Sequence, residues 1–401
     1  MARLAHKRHK VNWGNVLPRS NYLGPLFCGG LALVIALAFQ SLTVAFNAGG
    51  NWTALYHTGE LTTLPPQLAE EDIYQFAGEP GYDGQYYHYI AHDPAMRHGF
   101  ERFVDNPQLR WRRILIPGLA FLLSFGQHDY VDSVYFAIVL AFTGFGAFCL
   151  SALAERAGQS PWWGLGFLLV PAVAVSLDRM TVDVALAACC VALLLWAQRP
   201  LVVLPILAAA ALARETGVLL ALAYGVWSAR NRGWKGVVIA AGSLVPFAVW
   251  TAYIHARTGT DQTTWSAFIP FWGLAWRTWH PWSYEMPTSW LRWAGVLDYV
   301  GVFGVWLALA IVFRRLPRTL AEHCAFAFGI LASLLSKPDI WADVYAYGRT
   351  MSPLLLFVAW EGIRSRWWLF AVPMAVVVPR IIYQFGPQWK GVLRGIHAAA
   401  F

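Results

Sequence analysis

The run Leu26–Phe46, LFCGGLALVIALAFQSLTVAF, decides the class of fold. It carries no charge over a length that crosses the hydrocarbon core of a bilayer as a helix. Arg3, Lys7, Arg8, Lys10 and Arg19 precede it and no small-residue cleavage site closes it. It therefore reads as a signal anchor retained in the membrane, with its N-terminus in the cytoplasm. The remainder agrees: of 401 residues, 58% are hydrophobic and only 13% charged. That balance excludes an ordinary soluble domain and points to an all-α polytopic membrane protein. The net charge of +8 would suit a nucleic acid. The basic residues, however, are scattered through short inter-segment loops, as the positive-inside rule expects, so no nucleic-acid partner is expected. The 22 Trp suit anchors at two water–lipid interfaces. Cys28, Cys149, Cys189, Cys190 and Cys324 lie inside apolar runs without metal-ligand spacing and read as small buried hydrophobes.

Working outward from the anchor, a cytoplasmic basic stretch (1–24) leads to a large first outer loop, 47–132. This loop carries Pro65-Pro66, the acidic cluster Glu70-Glu71-Asp72, a Tyr-rich polar stretch and Arg110-Trp111-Arg112-Arg113. Ile114–Phe125 is too short to span and reads as a juxtamembrane helix at the outer surface. Spans follow at about Val134–Leu153, Trp162–Leu177 and Thr181–Ala197. Leu201–Ser228 reads as one helix with Arg214-Glu215 at its centre, or as a hairpin of two short helices with that pair at the tip. The hairpin keeps Arg230–Lys235 inside. Further spans are expected at Gly236–Ile254, Val296–Phe313, Cys324–Ser336, Met351–Trp360 and Trp367–Tyr383, with a Trp-crowded second outer loop at 257–295. The total is about 10–11 membrane segments in one membrane domain, 1–401, by the length a span requires. With this parity the four densest basic clusters are all cytoplasmic. The rival topology lets Ile114–Phe125 span and keeps Leu201–Ser228 whole. It moves Asp178 and Asp183 inside, and Arg156 and Arg199 outside.

Within the first loop lies GYDGQYYHYIAHDP, Gly81–Pro94. Asp83 sits between an aromatic ring and a glycine, a setting in which desolvation moves a carboxylate toward the working pH and fits it for general-base work. The bland reading is an Asp-Gly turn beside an interfacial tyrosine belt. The preferred topology gathers further charges on the same face: Asp93, Arg110, Arg112, Arg113, Asp178, Asp183, Arg214, Glu215, Asp339, Asp343 and Arg349. Ionisable groups at membrane depth are costly unless paired or wet, and arginines on the outer face run against the positive-inside bias. A phosphate ligand would explain them, because guanidinium matches its oxygens bidentately. Arg214–Glu215 and Asp343–Arg349 as structural ion pairs are the alternative. His88 and His92 read as loop residues, since a lone His pair lacks a third ligand.

An N-in anchor followed by an outer loop with an acidic motif resembles the GT-C superfamily of integral-membrane glycosyltransferases, and Tyr82-Asp83-Gly84-Gln85-Tyr86-Tyr87 is similar to the Trp-Asp-x-x-[His/Tyr]-[Phe/Tyr] motif of its glycosylphosphatidylinositol-type mannosyltransferases. Arg113–Pro117, Thr181-Val182-Asp183 and Ala213–Thr216 also resemble segments recurring in that group. The likeness touches most of the first 230 residues; it departs in having Tyr82 for Trp and no Asp-x-Asp pair. It implies a GT-C-like fold in the bacterial plasma membrane. It also implies an enzyme that passes a sugar from a polyprenyl-phosphate donor to a glycan, lipid or protein acceptor outside the cell. Asp83 would be the base, Arg110, Arg112, Arg113, Arg214 and Arg349 the phosphate ligands. Tyr82, Gln85, Tyr86, Tyr87, Asp93, Asp183, Glu215 and Asp343 would support them. No metal ligand is carried over, and a divalent cation stays open as cofactor. The competing expectation is a transporter or flippase of lipid-linked saccharide, which needs broken helices at mid-membrane and charges reachable from both faces.

Overall fold

The computed structural model describes residues 22–259, 269–283, 285 and 287–400. The basic residues Arg3 to Arg19 and Trp265 lie outside them. About 76% of the described residues are helical and almost none are in sheet, which agrees with the all-α expectation. The charge-free run forms α1 (Leu23–Asn47). The first loop is folded: a 3-10 turn at Trp52–Tyr56 and a parallel two-residue ladder, β1 (Thr58–Gly59) with β2 (Gln75–Phe76), precede α2 (Asp83–His92). Then α3 (Pro107–Arg112) starts on an Asn106 side chain that accepts the Leu109 N–H at 2.9 Å, with Pro in its first turn. The following α4 (Leu115–Leu123) has 9 residues. It rises about 14 Å at 1.5 Å per residue, half of what a crossing needs, so it does not span.

The long helix α5 (His128–Arg156) packs on α1 and on the 14-residue α7 (Asp183–Trp196), nearly all of which is buried. The expected straight span Trp162–Leu177 is instead a 3-10 helix, Pro161–Leu169, bent by 59° into α6 (Pro171–Arg179). Pro171 lacks the N–H that would continue the first piece. Next come α8 (Pro200–Ala213) and α9 (Val218–Asn231), separated by Arg214 in extended conformation (φ −158, ψ 142). At the end of α9, Arg232 Nη1 donates to the Ala197 carbonyl just before α8 at 3.3 Å. Both ends of the segment thus lie on one side and Arg214 lies at the tip: it is the hairpin. Gly217 permits the fold-back, since a Cβ there would run into the Ala210 carbonyl.

The chain continues as α10 (Lys235–Ser243) with α11 (Val245–Thr258), α12 (Trp272–Trp279), α13 (Ser289–Phe313) and α14 (Leu320–Leu334), which opens on a Thr319/Glu322 capping box. It closes with α15 (Pro338–Trp341), α16 (Tyr347–Ser365), α17 (Val372–Gln384) and α18 (Gly386–Ala400). Among the described residues four helical stretches are long and apolar enough to cross a membrane: α1, α5, α10 with α11, and α13. Counting each bent pair as one span gives up to six. This is a multi-pass helical protein, but with fewer full-length crossings than the 10–11 segments expected. Proline, the left-handed Met180 and the extended Arg214 break the apolar runs into short pieces that hydropathy alone counts as spans.

Those breaks place the charges. The N-termini of α2, α7 and α16, the C-terminus of α3 and the tip between α8 and α9 meet at one end of the bundle. Gly84 seats α2 there: a Cβ on it would stand 2.7 Å from the Tyr56 carbonyl and nearer still to that of Arg179. Gly84→Ala is expected to cost about 1–3 kcal/mol, the usual price of overpacking. Gly30→Ala, with nothing within 4 Å, serves as control. Thermal unfolding of the purified variants in detergent checks the contrast.

Candidate functional site

Tyr82 is extended (φ −136, ψ 174), so α2 begins at Asp83 and sets its carboxylate where a helix N-terminus favours negative charge. The stretch is therefore a helix, neither turn nor loop. Asp83 Oδ2 lies 2.8 Å from Arg110 Nη1 and 2.6 Å from Arg349 Nη2. Burial pushes the Asp83 carboxyl up, but Arg110 and Arg349 together outweigh it and hold the group well below the usual carboxylate range. The expectation of a carboxylate raised toward the working pH is corrected for the free protein: cations the sequence places far away dominate the desolvation.

The remaining charges continue the chain of pairs. Arg110 grips Asp105 with Nε at 2.9 Å and Nη2 at 2.7 Å, and lies over the Tyr86 ring at 5.1 Å. Arg113 grips Glu215 in the same way (2.9 and 2.8 Å) and donates to the Tyr87 hydroxyl at 2.9 Å. Arg214 pairs with Asp183 and donates to Thr350 Oγ1 at 3.0 Å. Arg349 Nε stands 3.4 Å from Asp183 Oδ2, which links the two halves. Four arginines thus alternate with Asp83, Asp105, Asp183 and Glu215.

The pairings expected from sequence proximity give way to others. Arg214 Nε is 4.0 Å from Glu215, whose carboxylate goes to Arg113. Asp343 caps the Ala346 amide at 2.8 Å, leaving Arg349 to Asp83. The network still has unused donors: Arg349 Nη1 and Arg214 Nε are buried without a hydrogen-bond acceptor among the described residues.

Of the supporting residues, Tyr82 lies beneath both Arg349 and Arg179, each 5.4 Å from its ring, and donates to the Tyr345 carbonyl at 3.1 Å. Gln85 accepts from the Gly59 amide at 3.2 Å and so ties α2 to the ladder. Asp93 caps the Arg97 and His98 amides at 2.8 Å and belongs to the loop's own framework. Arg112 takes no part, its Nε buried without an acceptor. Asp178 pairs with Arg179 and Tyr345, apart from the network, and Asp339 is exposed. Asp105 was not anticipated. It sits in an exposed polar turn and only the fold of the loop brings it to Arg110. His88 and His92 are not loop residues: both are buried on α2 and face Asp132 of α5, with Glu71 beside them.

Fold and site together define an all-helical multi-pass membrane protein with a carboxylate–arginine network at one end of its helices. Comparison with protein-family models, with curated proteins and with solved structures gives no match for this chain.

Proposed function

We propose that the chain transfers a sugar from a polyprenyl-phosphate donor to an acceptor hydroxyl at the outer face of the cell membrane, with inversion at the anomeric carbon. The observation that carries the reading is Asp83 held between Arg110 and Arg349 while Arg349 Nη1 and Arg214 Nε remain without acceptors. The phosphodiester monoanion of the donor finds guanidinium donors already oriented, which also receive the second charge that develops on the departing polyprenyl phosphate. In the transfer the acceptor oxygen bonds to the anomeric carbon, the bond from that carbon to the phosphate oxygen breaks, and polyprenyl phosphate departs. Asp83 takes the acceptor's proton. Engagement of Arg349 and Arg110 by the donor withdraws them from Asp83, and burial then raises its proton affinity at the moment it must act as base.

This coupling predicts a pH response. In the free protein the depressed Asp83 stays ionised below its unfolded value of about 3.9, so its contribution to stability is present above that value and fades as pH falls through the folded pKa. The acid limb of kcat/KM, which reports the free enzyme, follows the same group. Arg110→Gln removes one cation and leaves the burial, so the limb moves to higher pH, by one unit for every ~1.4 kcal/mol of interaction lost. An unmoved limb would show that another group titrates.

The reading is tested directly by incubating the purified, lipid-reconstituted protein with a panel of radiolabelled polyprenyl-phosphate sugars and envelope acceptors. Time-dependent release of polyprenyl phosphate with label on the acceptor is expected. Failure with every donor in the panel, by protein that is monodisperse and folded, overturns it.

A further inference from the structure

On the face of α2 turned away from Asp83, a second polar cluster is built from parts that the transfer reading does not use. At 3.6 residues per turn, His88 and His92 lie about 140° and 180° round the helix from Asp83. They are one turn apart and stacked on the same side, facing the first turn of α5, where His128 and Asp132 repeat the spacing. Glu71 closes the cluster from the loop after the Pro66–Leu68 turn. One donor atom from each of Glu71, His88, His92 and Asp132 lies within 4.8 Å of the other three.

Both histidines are essentially without solvent exposure. His88 Nε2 approaches Asp132 Oδ1 to 3.0 Å without hydrogen-bond alignment, and neither of its ring nitrogens has a hydrogen-bond partner among the described residues. A fully buried imidazole whose one polar neighbour is a poorly aligned carboxylate is costly unless a further partner takes its lone pair.

We propose that Glu71, His88, His92 and Asp132 bind a divalent transition-metal ion of the zinc type, which bolts α2 to α5. Two imidazoles and two carboxylates form a donor set that suits zinc, with ligand bonds of about 2.0–2.2 Å. Such bonds put tetrahedral ligand atoms about 3.4 Å apart by geometry. From Asp132 Oδ1 the separations are 3.0 Å to His88 Nε2 and 3.4 Å to His92 Nε2, close to that value, and the four donor atoms all lie within 4.8 Å of one another.

The outer shell is in place as well. His92 Nδ1 meets His128 Nδ1 at 2.7 Å, which fixes its ring and frees Nε2 toward Asp132. Tyr56 donates to Asp132 Oδ1 at 3.0 Å and stacks on His88, ring centres 4.2 Å apart. The carboxylate side remains reachable from solvent, with Glu71 32% and Asp132 20% exposed as side chains. The ion is structural with respect to Asp83: it holds the helix that presents the acid.

The test uses the full chain purified in detergent, stripped with chelator and titrated with Zn²⁺ and, separately, Co²⁺. One ion per chain, low-symmetry cobalt absorption in the visible and a rise in Tm on zinc addition are expected. These readouts are independent of sugar transfer. His88→Ala with His92→Ala should abolish all three, and His98→Ala, an exposed neighbour, should change none. Tyr56→Phe and Glu71→Gln keep the histidines and cover the case in which the double variant fails to fold. Tyr56→Phe should weaken zinc by about 10–100-fold, the usual effect of losing an outer-shell partner, and Glu71→Gln should weaken it at least as much. No uptake by monodisperse wild-type protein overturns the site, and so does stoichiometric zinc in the folded double variant. Where that variant does not fold, wild-type affinity in both Tyr56→Phe and Glu71→Gln overturns it.

Discussion

Asp83→Asn is expected to reduce transfer by about 10²–10⁴-fold, the usual contribution of a positioned general base, while donor binding is unchanged or tighter. The second half of that statement separates a base from a merely structural acid. The amide keeps the shape of the side chain but withdraws the negative charge to which Arg349 and Arg110 are bound at 2.6 and 2.8 Å. Arg110 keeps its two bonds to Asp105, and Arg349 is left with a larger share of positive charge for the incoming phosphate. Turnover should therefore collapse with KM level or falling. A purely structural role would instead raise KM; a lower Tm accompanies either role, because the pairs of Asp83 with Arg110 and Arg349 also contribute stability. Steady-state kinetics on the substrate pair identified from the donor panel, alongside unfolding curves, reads both. Near-normal turnover in Asp83→Asn would remove Asp83 as base.

The second large effect concerns the tip between α8 and α9. Asp183 is 2% and Arg214 8% exposed as side chains, and their pairing ties the hairpin tip to the first turn of α7. Asp183→Ala leaves the Arg214 guanidinium buried with Thr350 and the distant Glu215, which is already held by Arg113, and removes the Arg349 Nε contact too. Breaking a buried pair from one side typically costs about 3–5 kcal/mol, because the survivor's charge is left uncompensated. At roughly 2–4 °C per kcal/mol, a drop in Tm of about 6–20 °C is expected. Combining Asp183→Ala with Arg214→Met removes the stranded charge and should regain most of the loss. Thermal unfolding of the three variants forms the cycle. Strictly additive losses would show that the two residues are not coupled as their contact implies.

Several features were legible in the chain without coordinates. The uncharged run Leu26–Phe46 requires a helix because lipid leaves its backbone no other hydrogen-bond partner. The Arg214-Glu215 break inside an apolar stretch read as a hairpin tip, and the fold has it so. The scattered acids and arginines read as one cluster, and seven of them, Asp83, Arg110, Arg113, Asp183, Arg214, Glu215 and Arg349, do meet. Which acid would hold which arginine was not legible. Sequence neighbours suggested Arg214 with Glu215 and Asp343 with Arg349, yet guanidinium geometry and helix direction gave those partners to Asp183, Arg113, the Ala346 amide and Asp83. The His-x-x-x-His and His-x-x-x-Asp spacings were visible at 88–92 and 128–132, but only once 81–94 proves helical do they place pairs on facing turns.

Composition and hydropathy thus determined the solvent and the all-helical class, because burying unpaired polar groups in lipid is prohibitive. Only the tertiary structure decided the partners of each charge, the depressed proton affinity of Asp83 and the coming together of two histidines with two carboxylates. Those depend on distances of a few ångströms between segments remote in the chain, over which Coulombic and ligand interactions change steeply and sequence spacing carries no information.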